Sequence, residues 1–288
     1  MIKFLNNKWQ VYKHDPKSLL LFFSVCLAAC ITMFALFFII AYILIKGIPN
    51  LTPELFDIKY TSKNVSLLPA LINTLFITVL SLFFAVPVGI SAAIYLAEYA
   101  QRGNKLVHII SLTTETLSGI PSIIYGLFGS LFFVKYLGFG LSLLSGACTL
   151  SIMILPLIIR TTQEALKNVP DSYREGSFGL GAGKLRTIFS IVLPCATPGI
   201  LSGVILGIGR IVGESAALIF TAGTVAEVIS NIFSSARTLS VHMYAISGEG
   251  LYINQTYATA VVLLIVVILI NVLSNFVAKK IKKGTIEN

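Results

Sequence analysis

Charged side chains are scarce in this sequence. Asp, Glu, Lys and Arg together make 11% of its 288 residues, whereas a soluble domain carries about 25%. That shortage excludes a water-facing surface over most of the chain. Acidic residues are the scarcer sign, at 12 against 21 Lys and Arg, for a formal net charge of +9. Cys26, Cys30, Cys148 and Cys195 lie within or beside apolar runs, without the paired spacing of a zinc site or a secreted disulfide framework. His14, His108 and His242 are scattered, so a metal centre has no support and no cofactor is expected. No nucleophile stands with a general base, which removes the usual ground for reading a membrane-embedded enzyme.

What fills the chain is apolar: 56% of residues are hydrophobic and the mean hydropathy is +0.89. A spanning helix needs roughly 20 mostly apolar residues. Six stretches qualify, at 19–45, 68–96, 106–134, 141–159, 188–212 and 256–278. The expected fold class is therefore all-α, a polytopic integral membrane protein with six transmembrane helices in a lipid bilayer. Pro87, Pro121, Pro194 and Pro198 fall inside three of them, which spanning helices tolerate because neighbours re-satisfy the freed backbone groups. Residues 215–255 mix Gly, Ser and Thr with short apolar pieces and are expected outside the bilayer, as re-entrant or surface helices. Lys3, Lys8, Lys13 and Lys17 precede Leu27-Ala28-Ala29-Cys30, which imitates a lipoprotein cleavage box. The apolar run there is far longer than the roughly 7–15 residues of a signal peptide, so an uncleaved spanning helix is expected.

A basic chain can signal nucleic acid, or cations held in cytoplasmic loops. With the N-terminus inside, the inner segments hold 15 Lys and Arg and the outer segments 5. That asymmetry favours the membrane over nucleic acid and predicts that both termini are cytoplasmic. Arg210 is the remaining cation, and it falls inside the fifth stretch.

The longest inner segment, residues 160–187, reads Glu164-Ala165-Leu166, Val169-Pro170, then Tyr173-Arg174-Glu175-Gly176-Ser177-Phe178-Gly179-Leu180-Gly181-Ala182. Nine residues separate Gly181 from Ile191, and Leu193-Pro194 follows. A short helix across the inner ends of spanning helices can seat in a groove of a soluble subunit, and Gly181 would let the chain turn after it. The Gly179–Lys184 run is no phosphate-cradling loop, because Phe178 and Leu185 stand where such a loop needs Gly and Ser or Thr. The spacing from Glu175 to Pro194 resembles the docking loop of ABC importer permeases: Glu-Ala-Ala, three residues, Gly, nine residues, Ile, one residue, Leu-Pro. Gly176 and Ser177 replace the two alanines; both are small, but poorer helix formers. Resemblance then narrows to the PstA-type permeases of phosphate-specific ABC importers. It is carried by Asn73-Thr74-Leu75, Val86-Pro87-Val88-Gly89, Gly119-Ile120-Pro121-Ser122-Ile123, Pro198-Gly199-Ile200, Arg210 with Gly213-Glu214-Ser215-Ala216, and Tyr257-Ala258.

Arg210 and Glu214 stand four apart, on one helical face. An ionised side chain near the bilayer centre costs about 2.5–3.5 kcal/mol on insertion scales, and a guanidinium offers forked donors suited to phosphate. Two readings stand together: a substrate path, or an ion pair that fixes helix packing. A helix ending before Glu214 would leave that carboxylate outside the span. Glu115 either contacts Arg210, lines a wet cavity or snorkels.

The resemblance implies a type I ABC importer permease fold, with residues 61–288 as the permease domain and 160–187 as its coupling loop. Residues 1–60 would hold the N-terminal segment, the first span and the start of the outer loop. It also implies alternating access for inorganic phosphate, with Arg210, Glu214 and Glu115 in the path and Glu175, Gly176, Ser177 and Gly181 coupling to the ATPase. The implied partners are a second, non-identical permease, an ATPase dimer and an extracytoplasmic phosphate-binding protein. A secondary transporter or channel would need repeats around a midplane site, and none is visible; a permease for another oxyanion is the remaining alternative.

Overall fold

A computed structural model describes residues 16–100 and 105–286; Lys3, Lys8, Lys13, His14 and Arg102 lie outside the described residues. The described chain is helical throughout its ordered elements, with α1 (Pro16–Gly47), α2 (Leu68–Ile94), α3 (Lys105–Ser118), α4 (Ser122–Gly129), α5 (Leu143–Lys167), α6 (Asp171–Gly179), α7 (Lys184–Thr187), α8 (Leu193–Gly213), α9 (Ala216–Thr221), α10 (Leu239–Glu249) and α11 (Ile253–Ile286). Widened π turns extend α2 through Tyr95–Tyr99 and α4 through Ser130–Tyr136, and join α7 to α8 at Ile188–Val192. Five helices among the described residues are long and apolar enough to cross a membrane, or six with a bent pair counted as one span.

The bent pair is the predicted third span, sharply folded near its middle. The predicted third span is not one helix, because α3 and α4 meet at 103° across Gly119-Ile120-Pro121. Pro121 has no N–H to continue the helix and biases Ile120 away from helical backbone. Tyr125 closes the corner from the other side, donating its hydroxyl to the Leu117 carbonyl at 2.7 Å. The fourth span also runs further than its apolar pattern, through Arg160 to Lys167, so the docking loop begins only after α5 ends.

Helices α2, α5 and α8 form the centre. Ile77, Ala85, Leu150, Met153, Ile154, Ile158 and Ile211 are buried in one cluster. Small residues let the backbones approach: a side chain at Gly89 would meet Ile158, and one at Gly203 would meet Thr161. By contrast α1 stands apart, with none of its apolar window buried; it touches α11 near its outer end, where Gly47 lies against the Tyr257 backbone and Tyr42 meets the Tyr257 ring edge-on.

The mixed segment after α8 folds inward against the central helices. Ala217, Leu218, Thr221, Ala222 and Ala236 are fully buried, and Leu218, Ala222 and Ala236 join the central cluster. A helix start leaves backbone donors without partners, and here the inward segment supplies them. Leu143 N donates to Ser234 O and Leu144 N to Ile232 O, each at 3.0 Å. Irregular backbone can be buried where protein groups satisfy its donors and acceptors.

Candidate functional site

Two separate regions carry the candidate residues. The first is α6 with its turn. Helix α6 ends in a Schellman motif: Gly181 N donates to Phe178 O at 2.9 Å and Ala182 N to Ser177 O at 3.1 Å, with Gly181 at φ +83°. That left-handed backbone is what glycine supplies without steric cost. Ser172, Tyr173, Gly176, Leu180, Gly181 and Arg186 line an open groove of about 550 Å³. Glu175 and Gly176 are exposed, and Leu180 is 91% exposed, an uncovered apolar tip. Ser177 lines the same groove. It is buried, its hydroxyl 2.8 Å from that of Thr187, and holds α6 onto α7.

Arg174, one residue before the docking signature, was not singled out from the sequence. Its guanidinium reaches Glu98 at the end of the α2 rod at 2.6 Å, and it also donates to Val169 O at 2.7 Å and Leu166 O at 2.9 Å. Hydrogen bonding to Glu98 raises the Arg174 pKa above its ordinary value. Only the apolar run ending in Ala97-Glu98-Tyr99 hinted at a carboxylate at that helix end. Beside it, Lys184 Nζ lies 4.8 Å from the centre of the Tyr99 ring.

The second region lies at the other end of α8. Arg210 is in the last turn of that helix and half-buried. Among the described residues it has no ion pair and no hydrogen bond. The expected Arg210–Glu214 pair is not formed, because α8 stops at Gly213 and turns Glu214 away. The Glu214 carboxylate instead accepts from Ala217 N at 3.0 Å, and its backbone carbonyl accepts from the Ser240 hydroxyl. It is nearly buried and secures the inward segment, an anion at a helix start. Nor does Glu115 reach Arg210: it lies 3.9 Å from Arg160, both side chains exposed. The three path candidates therefore occupy three different settings, and Arg210 alone keeps its donors free.

Asn73 and Thr74 anchor the inward segment. Asn73 is fully buried; its amide donates to Glu227 O at 2.8 Å and Arg237 O at 3.3 Å, and accepts from Ile229 N at 3.2 Å. Thr74 Oγ1 accepts from Leu239 N at 2.8 Å. Nearby, His242 is buried, and desolvation first, then the Arg237 charge, lowers its pKa to about 4, leaving it neutral.

The sequence pattern described as "Binding-protein-dependent transport system inner membrane component" matches residues 85–286. The chain belongs to that family. The permease is 32% identical over 244 residues to the probable ABC transporter permease protein YqgI of Bacillus subtilis (strain 168), covering 80% of this chain and 82% of that one. It is 37% identical over 215 residues to the phosphate transport system permease protein PstA of Pasteurella multocida (strain Pm70), with 73% and 72% covered. Against PstA 1 of Mycobacterium tuberculosis (strain CDC 1551 / Oshkosh), also named a phosphate transport system permease, identity is 34% over 205 residues, with 70% and 67% covered. Among solved structures, a bacterial ABC transporter that imports the acidic polysaccharide alginate superposes with a TM-score of 0.66 at 16% identity, covering 95% of this permease and 99% of that chain. The inward-facing MetNI methionine ABC transporter gives 0.60 at 22%, with 75% and 95% covered. The permease thus has the type I ABC importer fold and is a multi-pass inner-membrane subunit that works with an ATPase and a binding protein.

Proposed function

We propose that this permease is one half of the membrane path of an ATP-driven importer for inorganic phosphate. The observation that carries the reading is Arg210, a half-buried guanidinium with no partner among the described residues, in a chain similar to permeases named for phosphate transport. A planar fork of donors matches a tetrahedral oxyanion. The other half is a similar, non-identical permease; an ATPase dimer seats on α6, and a phosphate-binding protein delivers the ion from outside. ATP hydrolysis belongs to the ATPase subunits, and this subunit opens and closes the path by alternating access. Residues 61–288 form the transport domain, and residues 1–60 add the first span and the start of the outer loop.

Sulfate is a tetrahedral oxyanion of similar size, so it tests the substrate class. In proteoliposomes holding the complete complex, phosphate with its binding protein should be taken up with ATP and sulfate should not. Equal uptake of both would overturn phosphate selectivity in favour of a general oxyanion path. The arrangement in the bilayer has its own check. Single cysteines at positions 17, 184 and 283 should label only from the cytoplasmic face, and those at 59 and 237 only from outside. Termini labelled from opposite faces would rule out the proposed orientation.

A further inference from the structure

Helix α6 has a weak grip of its own on the membrane part. Its one buried residue, Ser177, packs against its own loop through Thr187, and its main packing neighbours are α7 and the π turn after it. The direct polar link to α2 runs through Arg174. That guanidinium meets both carboxylate oxygens of Glu98, at 2.6, 3.2 and 3.3 Å. Its remaining donors go to two carbonyls at the end of α5 and to Asp171. The two side chains are only 14% and 8% exposed. A fork held on both sides and partly dried resists shear far better than an exposed point contact.

Glu98 is also one end of a rod. The segment Leu68–Tyr99 is one apolar unit, and 25 positions separate Glu98 from Asn73, about 37 Å of helix. At that far end Asn73 and Thr74 hold the backbone of the inward segment at residues 227, 229, 237 and 239. The same segment follows Arg210 directly in the chain. A displacement of α6 therefore has a route along α2 to the inward segment, hydrogen-bonded at both ends.

We propose that Glu98 and Arg174 form a strut that carries movement of the docking helix into α2, so that the pair sets how much transport each ATP hydrolysed produces. Both are positioning residues, and the inference rests on the docking role assigned to α6. Coupling between distant sites is typically worth a factor of five or more. In proteoliposomes of the full complex, Glu98→Gln should lower phosphate uptake per ATP hydrolysed by about fivefold or more, with normal recovery of ATPase subunits and a near-normal ATPase rate. Glu98→Asp should recover much of the ratio. Pairing Glu98→Gln with Arg174→Gln should add little to either single change, because one link is already lost. If Glu98→Gln does not assemble, Arg174→Lys, which keeps the charge and loses the fork, reads the same ratio. An unchanged ratio overturns the strut, and so does loss of ATPase subunits from an otherwise intact permease pair, since the pair would then serve assembly. Gly181→Val separates the two claims. If it leaves ATPase recovery unchanged, the docking role itself falls; if it disrupts recovery while Glu98→Gln leaves the ratio unchanged, only the strut falls.

Discussion

Arg210→Gln should abolish phosphate uptake while leaving the amount of assembled complex close to normal. Gln keeps a hydrogen-bonding chain but removes the charge, and a hydrogen bond to a charged partner is worth about 3 kcal/mol at most, or about a hundredfold in uptake. The structural loss is smaller. Arg210 stands in the last turn of α8, where a cation near the helix end contributes about 0.3–1 kcal/mol, and no ion pair with Glu214 is broken. Arg210→Lys keeps the charge and gives up the planar fork, so uptake should remain severely reduced. Glu214→Gln keeps an oxygen that can accept from Ala217 N, and should leave the inward segment in place. Combining Arg210→Gln with Glu214→Gln should therefore not restore uptake. Restored uptake in the double variant would show that the two charges balance one another and would end the case for contact with phosphate. Uptake and recovered complex are measured side by side in each variant.

Gly181→Val should detach the ATPase subunits while the permease still inserts. Nothing lies within 4 Å of a side chain built at Gly181, so crowding is not the mechanism. The cost comes from the backbone: φ is +83°, which disfavours an L-residue by about 1–2 kcal/mol and a β-branched one more. The helix stop between Ser177 and Ala182 would open, and the apolar tip at Leu180 would lose its position. ATPase recovery is expected to fall about tenfold, the factor that about 1.4 kcal/mol gives. Asn accepts left-handed backbone better than other residues with a side chain, so Gly181→Asn should retain most of the recovery. Equal loss with Asn and Val would mean that the exposed surface, rather than the turn, matters at this position.

The turn that ends α6 was legible in the sequence because it is local. Its glycine, its spacing to Leu193-Pro194 and its cap geometry are decided within a dozen residues. Arg210 was legible for a related reason, since a guanidinium in an apolar run stands out wherever it sits. Its supposed partner was not. A four-residue spacing predicts contact only while the helix continues, and α8 stops at Gly213, so Glu214 serves the next helix instead. Ser177 shows a related limit: spacing marks it as a small residue of the loop, and only the fold shows that it lines the groove while its hydroxyl meets that of Thr187, ten residues on.

By itself the sequence determined the membrane-spanning class, most of the spans, the charge asymmetry and the family-like docking loop, because apolar length and residue spacing act along the chain. The broken third span was half visible in Gly119 and Pro121, but its 103° bend required the packing of α4 against the inward segment, where a side chain at Gly126 would meet Ala217. Only tertiary structure decided that Ala217, Leu218, Thr221, Ala222 and Ala236 are buried against the central helices. The composition of their segment is too polar for lipid, and burial there depends on donors and acceptors from Asn73, Thr74 and the start of α5. The Glu98–Arg174 pair, 76 residues apart, belongs to the same class. Local periodicity cannot specify which distant carboxylate meets a guanidinium; the convergence of two helix ends and a docking loop does.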